Sequence, residues 1–185
     1  LLAEGHRAVA DSARHYLARL YTKTHQHAEA LEMFRQQLRV APTFKGDLLY
    51  QISLSQAALG DEEGSRKTQL KLMADHPSHR LARDVADRLR PRTPREQYAR
   101  AVVRYNHGDD RRTIDGLRRL LRRDDVPRKL ASDAQYLLGR SYSRSGQRSR
   151  SRRTFERLHE QHGRPSALYR LAGLEVTGDA DLDAV

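Results

Sequence analysis

Residues 141–162, SYSRSGQRSRSRRTFERLHEQH, decide how this chain is read. By composition the arginine–serine alternation resembles a disordered, RNA-binding segment. By periodicity it is the bend between two helices: Gly146 fits a tight turn, and Phe155 and Leu158 form an apolar stripe that a low-complexity tract lacks. Tyr142 supplies the matching apolar contact from the preceding helix. The periodic reading predicts a folded helix, with Arg148, Arg150, Arg152, Arg153 and Arg157 on its outer side.

The same offsets recur elsewhere. From Leu138, a small residue follows at one (Gly139), an aromatic at four (Tyr142), a small residue at thirteen (Ser151) and an aromatic at seventeen (Phe155), with Pro165 beyond. From Leu17 they give Ala18, Tyr21, Ala30 and Phe34, with Pro42 closing the copy. Ile52 gives the weaker series Ser53, Gln56, Ser65, Gln69 and Pro77. Leu171 gives Ala172, Glu175 and Ala184, and Ala101 gives Val102, Tyr105 and Ile114 before Pro127. Residues four apart share one helical face. Small residues let paired helices approach closely, and proline ends each copy because it cannot continue a helix.

The anchors are separated by 35, 49, 37 and 33 residues, bracketing the period of about 34 that marks tetratricopeptide helix pairs. Residues 11–42 and 132–165 resemble tetratricopeptide repeats, and the other copies resemble degenerate ones. The expected fold is all-α: a right-handed superhelix of four to five antiparallel helix pairs with one inserted helix. The insertion explains the long spacing, since SHRLARDVADRLR places Leu81, Val85 and Leu89 on one stripe over 79–90. PRTP at 91–94 then breaks the chain. Two blocks follow, 1–90 and 91–185. Ala184 falls at the small-residue position of a second helix, so the expectation is either that the polypeptide continues or that this last segment is a frayed acidic tail.

Charge is uneven. Basic residues outnumber acidic ones 10 to 9 over 1–79 and 24 to 11 over 80–164, and they fall behind 1 to 4 over 165–185. The net charge is +11. The excess marks a basic surface at Arg118, Arg119, Arg122, Arg123, Arg148, Arg150, Arg152 and Arg153, able to attract anions. There are no cysteines, so disulfides and thiolate metal sites are excluded. No run approaches the roughly 20 apolar residues of a membrane span.

In stacked helix pairs the first helix of each pair lines the concave side. Positions two before and two after each anchor then give a ligand groove. They are His15 and Arg19, Tyr50 and Leu54, Tyr136 and Arg140, and Tyr169 and Gly173, with Ala99 and Val103 of the third pair apolar and either open to the groove or packed. Tyrosine offers a flat face with a hydroxyl, and arginine a planar fork for carboxylate or phosphate. Tetratricopeptide adaptors that grip a carboxyl-terminal peptide use Lys and Asn at such positions, and those are absent here.

Histidines pair at His25 and His27, His76 and His79, and His159 and His162, none beside a compact acid set, so no metal or other cofactor is expected. Acids at 61–63, 109–110 and 124–125 read as helix caps, leaving no catalytic set. The segments HPSHRLARDVADRL, ASDAQYLLGRSYSRSG and RTFERLHEQHGRPSALYRLAGLEVTGD also resemble the amino-terminal superhelix of bacterial soluble lytic transglycosylases. That resemblance implies a non-catalytic arm holding peptidoglycan, in the periplasm or envelope; otherwise the chain is expected in the cytoplasm. Three roles rank in order: a scaffold binding a protein or peptide partner, a peptidoglycan-holding arm, and nucleic-acid or other polyanion binding through 80–164.

Overall fold

The computed structural model describes residues 13–14, 16–40, 44–163, 165–168, 170, 171 and 173, and every regular element among them is helical. The chain divides into two compact units, Leu1–Arg88 and Leu89–Val185.

In the first unit, α1 (16–23) and α2 (His27–Val40) form one pair, and α3 (Lys45–Ala58) and α4 (Glu62–Asp75) a second. The α1–α2 seam is apolar: Ala18, Ala30 and Phe34 are fully buried and pack with Leu48 and Ile52 of α3. The weaker second copy keeps the same geometry with polar groups. Ser65 Oγ donates to the Ser53 carbonyl at 2.7 Å, and Thr68 Oγ1 donates to Gln56 Oε1 at 2.7 Å. Each buried donor therefore has an acceptor, which is the condition for placing polar side chains in a core. Helix α5 (Arg80–Arg88) buries Leu81, Ala82, Val85 and Ala86. Just before it, the His79 ring lies over Gly46, where a Cβ would come within 2.7 Å of the ring.

The second unit begins with a break at 89–93. Thr93 Oγ1 accepts from the Glu96 amide and Pro94 takes the first helical position, so α6 (Pro94–Asn106) is capped by the residues that end the preceding segment. Asp109 likewise caps α7 (Asp110–Leu120), accepting from Arg112 N at 3.1 Å. Then come α8 (Arg128–Arg144) and α9 (Arg148–His162), followed by helical residues 165–168, 170, 171 and 173, here called α10. Ile114, Leu117 and Leu120 of α7 pack against Ala134, Leu137, Leu138 and Tyr142 of α8.

The arginine–serine stretch is thus the end of α8, a turn and α9. Ser151, Phe155 and Leu158 are buried while Arg148, Arg150, Arg152, Arg153 and Arg157 are exposed. Gly139 lets the Phe155 ring lie directly on the α8 backbone, and Ser151 Oγ donates to the Gly139 carbonyl at 2.8 Å. That is the Ser65–Ser53 hydrogen bond again, in a different pair.

The inter-helix turns set the register of every copy. A left-handed residue occurs in the turn inside each of the four pairs: His25 (φ 60°), Gly60 (80°), Gly108 (77°) and Gly146 (75°). The residue after it donates its amide to the carbonyl five residues back: Gln26 to Tyr21, Asp61 to Gln56, Asp109 to Arg104 and Gln147 to Tyr142. In three pairs these partners fall where the sequence offsets place them. In the third they are shifted by one: the anchor is Arg100, not Ala101. Ala101 and Thr113 are then the two small buried positions and Leu117 takes the place of Phe155. The expected groove residues Ala99 and Val103 are corrected accordingly to Tyr98 and Val102, and Val103 is fully buried.

Candidate partner-binding face of the second helical unit

With the register corrected, the position two before the anchor is tyrosine in four copies: Tyr50, Tyr98, Tyr136 and Tyr169. His15 and Tyr169 lie outside the described residues. Arg19 is exposed on α1; on α3, Tyr50 is half-buried and Leu54 exposed.

In the second unit, α6 and α8 approach each other, and Tyr98, Val102 and Tyr105 of α6 pack against the core that includes Leu137, Leu138 and Tyr142 of α8. Tyr136 and Arg140 are one turn apart on α8, an i,i+4 spacing that puts both on one face. The Arg140 guanidinium lies over the ring of Tyr105 on α6, 5.0 Å from its centroid, and 6.0 Å from that of Tyr136. Arg144, one turn further on, covers Tyr105 at 3.8 Å. Each such cation–ring contact contributes about 0.5–1 kcal/mol at a partly exposed site. Tyr136 also meets Phe155, with centroids 5.9 Å apart and the rings tilted, and accepts from Arg170 Nε at 3.4 Å. Both rings are therefore already engaged and do not stand open as flat stacking surfaces.

The two arginines differ in what their edges do. Arg144 grips Asp110 with Nε and Nη2 at 2.7 Å, and its Nη2 also donates to the Tyr105 carbonyl at 2.6 Å. The Asp110 hydrogen bond raises the Arg144 pKa above its ordinary value. Arg144 is a strut tying α8 to α6 and α7. Arg140 makes no hydrogen bond or ion pair among the described residues, so its in-plane N–H groups remain available.

Sequence reasoning missed Tyr105, Arg144, Asp110 and Arg170 as parts of this face. Only one of these carried a sequence signal: Tyr136 and Arg170 are 34 residues apart, close to the 33 that separate the anchors Leu138 and Leu171, so they fall near matching positions of neighbouring copies. Tyr105–Arg140 and Asp110–Arg144 follow no such rule, because their anchors, Arg100 and Leu138, are 38 apart.

The arginines singled out for a basic surface lie on other elements. Arg118 and Arg119 are exposed on α7, Arg122 and Arg123 follow it, and the remaining four are exposed on α9. At least three of them are tied locally: Arg123 grips Asp125 at 2.8 and 2.7 Å, Arg150 donates to Gln147, and Arg148 is engaged as well. The Arg123 hydrogen bond holds the Asp125 carboxyl below its usual range. A cleft of about 170 Å³ opens beside α6 and α7, lined by Pro91, Gln97, Arg100, Arg104, Gly116 and Arg119 among others. Arg100 and Arg104 are both already engaged with partners.

His79 faces Asp47 at 3.3 Å, and the His25 and His27 rings meet edge to face. Among the described residues no group of three or more histidines and acids could hold a metal ion, and no helix is long and apolar enough to cross a membrane.

Paired helices with repeating turns, small-residue seams and a shared face on their first helices define a tetratricopeptide-like helical-repeat protein. Residues 133–163, which span α8 and α9, match the tetratricopeptide repeat family. Among solved structures, a thermophilic tetratricopeptide protein of Thermus thermophilus aligns at 16% identity, covering 90% of this chain and 99% of that one, with a TM-score of 0.44. Residues 41 to the end of MamA from Desulfovibrio magneticus RS-1 align at 17% identity, over 91% of this chain and 85% of that one, with a TM-score of 0.40. No curated protein matches the sequence.

Proposed function

We propose that this chain is a non-catalytic scaffold that holds a protein or peptide partner on the α6–α8 face. The observation that carries the reading is the Tyr105–Arg140–Tyr136 arrangement, in which two helices cooperate to hold a half-buried guanidinium between aromatic rings. Fixing a long side chain this way removes part of the ordering entropy that a partner would otherwise have to offset. Tyrosine and arginine are also the residues most enriched among the strong contacts of protein interfaces. The test is peptide selection on the full chain from a random phage-displayed library, followed by challenge with Y136A/R140A. Selected peptides should lose most of their binding to the double variant; unchanged capture would count decisively against this face.

A second reading, polyanion binding, rests on the exposed arginines of α9 and the end of α7. It requires affinity for single-stranded RNA that falls steeply as salt rises, through counterion release. A salt-insensitive or absent interaction removes it. The peptidoglycan-arm reading requires retention on purified peptidoglycan above that of a charge-matched control protein.

A further inference from the structure

We infer that Arg140 is a carboxylate-recognition point, seating an Asp or Glu side chain of an extended acidic peptide on the α6–α8 face. This deepens the partner-binding reading and rests on it. Arg140 and Arg144 sit one turn apart against the same Tyr105 ring, and the contrast between them is informative. Arg144 already shows what this environment does with a guanidinium: its face stacks on tyrosine while its edge takes Asp110 in a two-pronged grip. Arg140 makes a looser version of the ring contact, 5.0 Å from the Tyr105 centroid and 6.0 Å from that of Tyr136, and has, among the described residues, no acid on its edge.

Stacking occupies the π face of a guanidinium and leaves its in-plane donors free, the geometry that a carboxylate meets with two parallel hydrogen bonds. Among the described residues there is thus one completed arginine–carboxylate unit and, a turn away, an arginine against the same ring without a carboxylate. Arg170, bonded to Tyr136 Oη, adds positive charge beside the same ring. Residues 80–164 carry 24 basic against 11 acidic side chains, so the field around the site also favours an acidic partner. A nucleic-acid strand fits less well. Base stacking needs open aromatic faces, and here Tyr105 and Tyr136 are engaged by guanidiniums and Phe155.

The experiment uses the phage-selected peptides as probes in fluorescence anisotropy against the 185-residue chain and its R140Q and R140K variants. Each acidic residue of the best peptide is changed in turn to its amide. The expected result is that one Glu→Gln or Asp→Asn change and R140Q each weaken binding by about tenfold or more, the range for hydrogen bonds to charged groups. Combining the two should weaken it little further, because they remove the same contact. R140K, which keeps the charge and loses the fork, should recover only a minor part of the affinity. Circular dichroism of R140Q checks that the fold is intact. If R140Q and every amide change add independently while Y136A/R140A still abolishes binding, the carboxylate assignment falls and the face survives. If peptides bind wild type and Y136A/R140A alike, the partner-binding reading fails and takes this inference with it.

Discussion

Replacing Gly139 with alanine tests the helix-pair packing at its tightest point. A Cβ built there would lie 2.7 Å from both Cε1 and Cζ of Phe155 and 3.0 Å from Cδ1. The ring cannot swing aside freely, because it is 1% exposed and boxed in by Leu158, Ala167 and Tyr136. Overpacking of this kind costs about 1–3 kcal/mol. Alanine recovers up to about 1 kcal/mol through its better helix propensity. The net expectation is a loss of about 1–2 kcal/mol. Gly116, also inside a helix of the second unit, is the matched control: a Cβ there meets nothing within 4 Å. G116A should therefore gain up to about 1 kcal/mol. Urea unfolding followed by far-ultraviolet circular dichroism separates the two. With a slope of about 2 kcal/mol/M, G139A lowers the midpoint by roughly 0.5–1 M and G116A raises it. Stabilisation by G139A comparable to that by G116A would refute the packing argument. A smaller G139A penalty in an F155L background would locate the strain in the ring contact.

His25 is the one described non-glycine residue with positive φ, where the other three turns use glycine. H25G should stabilise the first unit by about 0.5–1 kcal/mol in the same urea assay, as relief of left-handed strain outweighs the added freedom of the unfolded chain; a loss of stability would contradict the turn geometry. Asp125, held below its usual range by Arg123, should keep its ion pair as pH falls through the ordinary carboxylate range and lose it only on passing through its lowered folded pKa. An NMR titration of its carboxyl carbon should give a midpoint below that of a free aspartate, and a midpoint at or above that value would rule the pairing out.

The fold was legible where the packing contacts are apolar and local in sequence. Phe155 and Phe34 follow small residues by four positions, and each occupies a fully covered seam in the structure. The third pair misled because Tyr105, four residues after Ala101, imitates the leucine–tyrosine spacing of the better copies. The true positions hold Arg100 and Arg104, whose character says nothing about an anchor, and the turn at Gly108 fixes them instead. The candidate site was half legible. Tyr136 and Arg140 follow from helical spacing on a single element. Their partner Tyr105 and the Arg144–Asp110 strut depend on how α8 docks against α6 and α7, a relation that local periodicity does not encode. The arginine runs drew attention by composition, yet on α9 they flank a buried Ser151–Phe155–Leu158 stripe.

The most direct test of partner binding on the α6–α8 face is site-specific photo-crosslinking with a benzoylphenylalanine probe and the phage-selected peptides. Placed at Val102 on α6, between Tyr98 and Tyr105 in sequence, the probe should capture peptide efficiently; at Arg153 on α9 it should capture little. Crosslinking through Arg153 with none through Val102 would contradict the account and move the binding surface to the outer arginines.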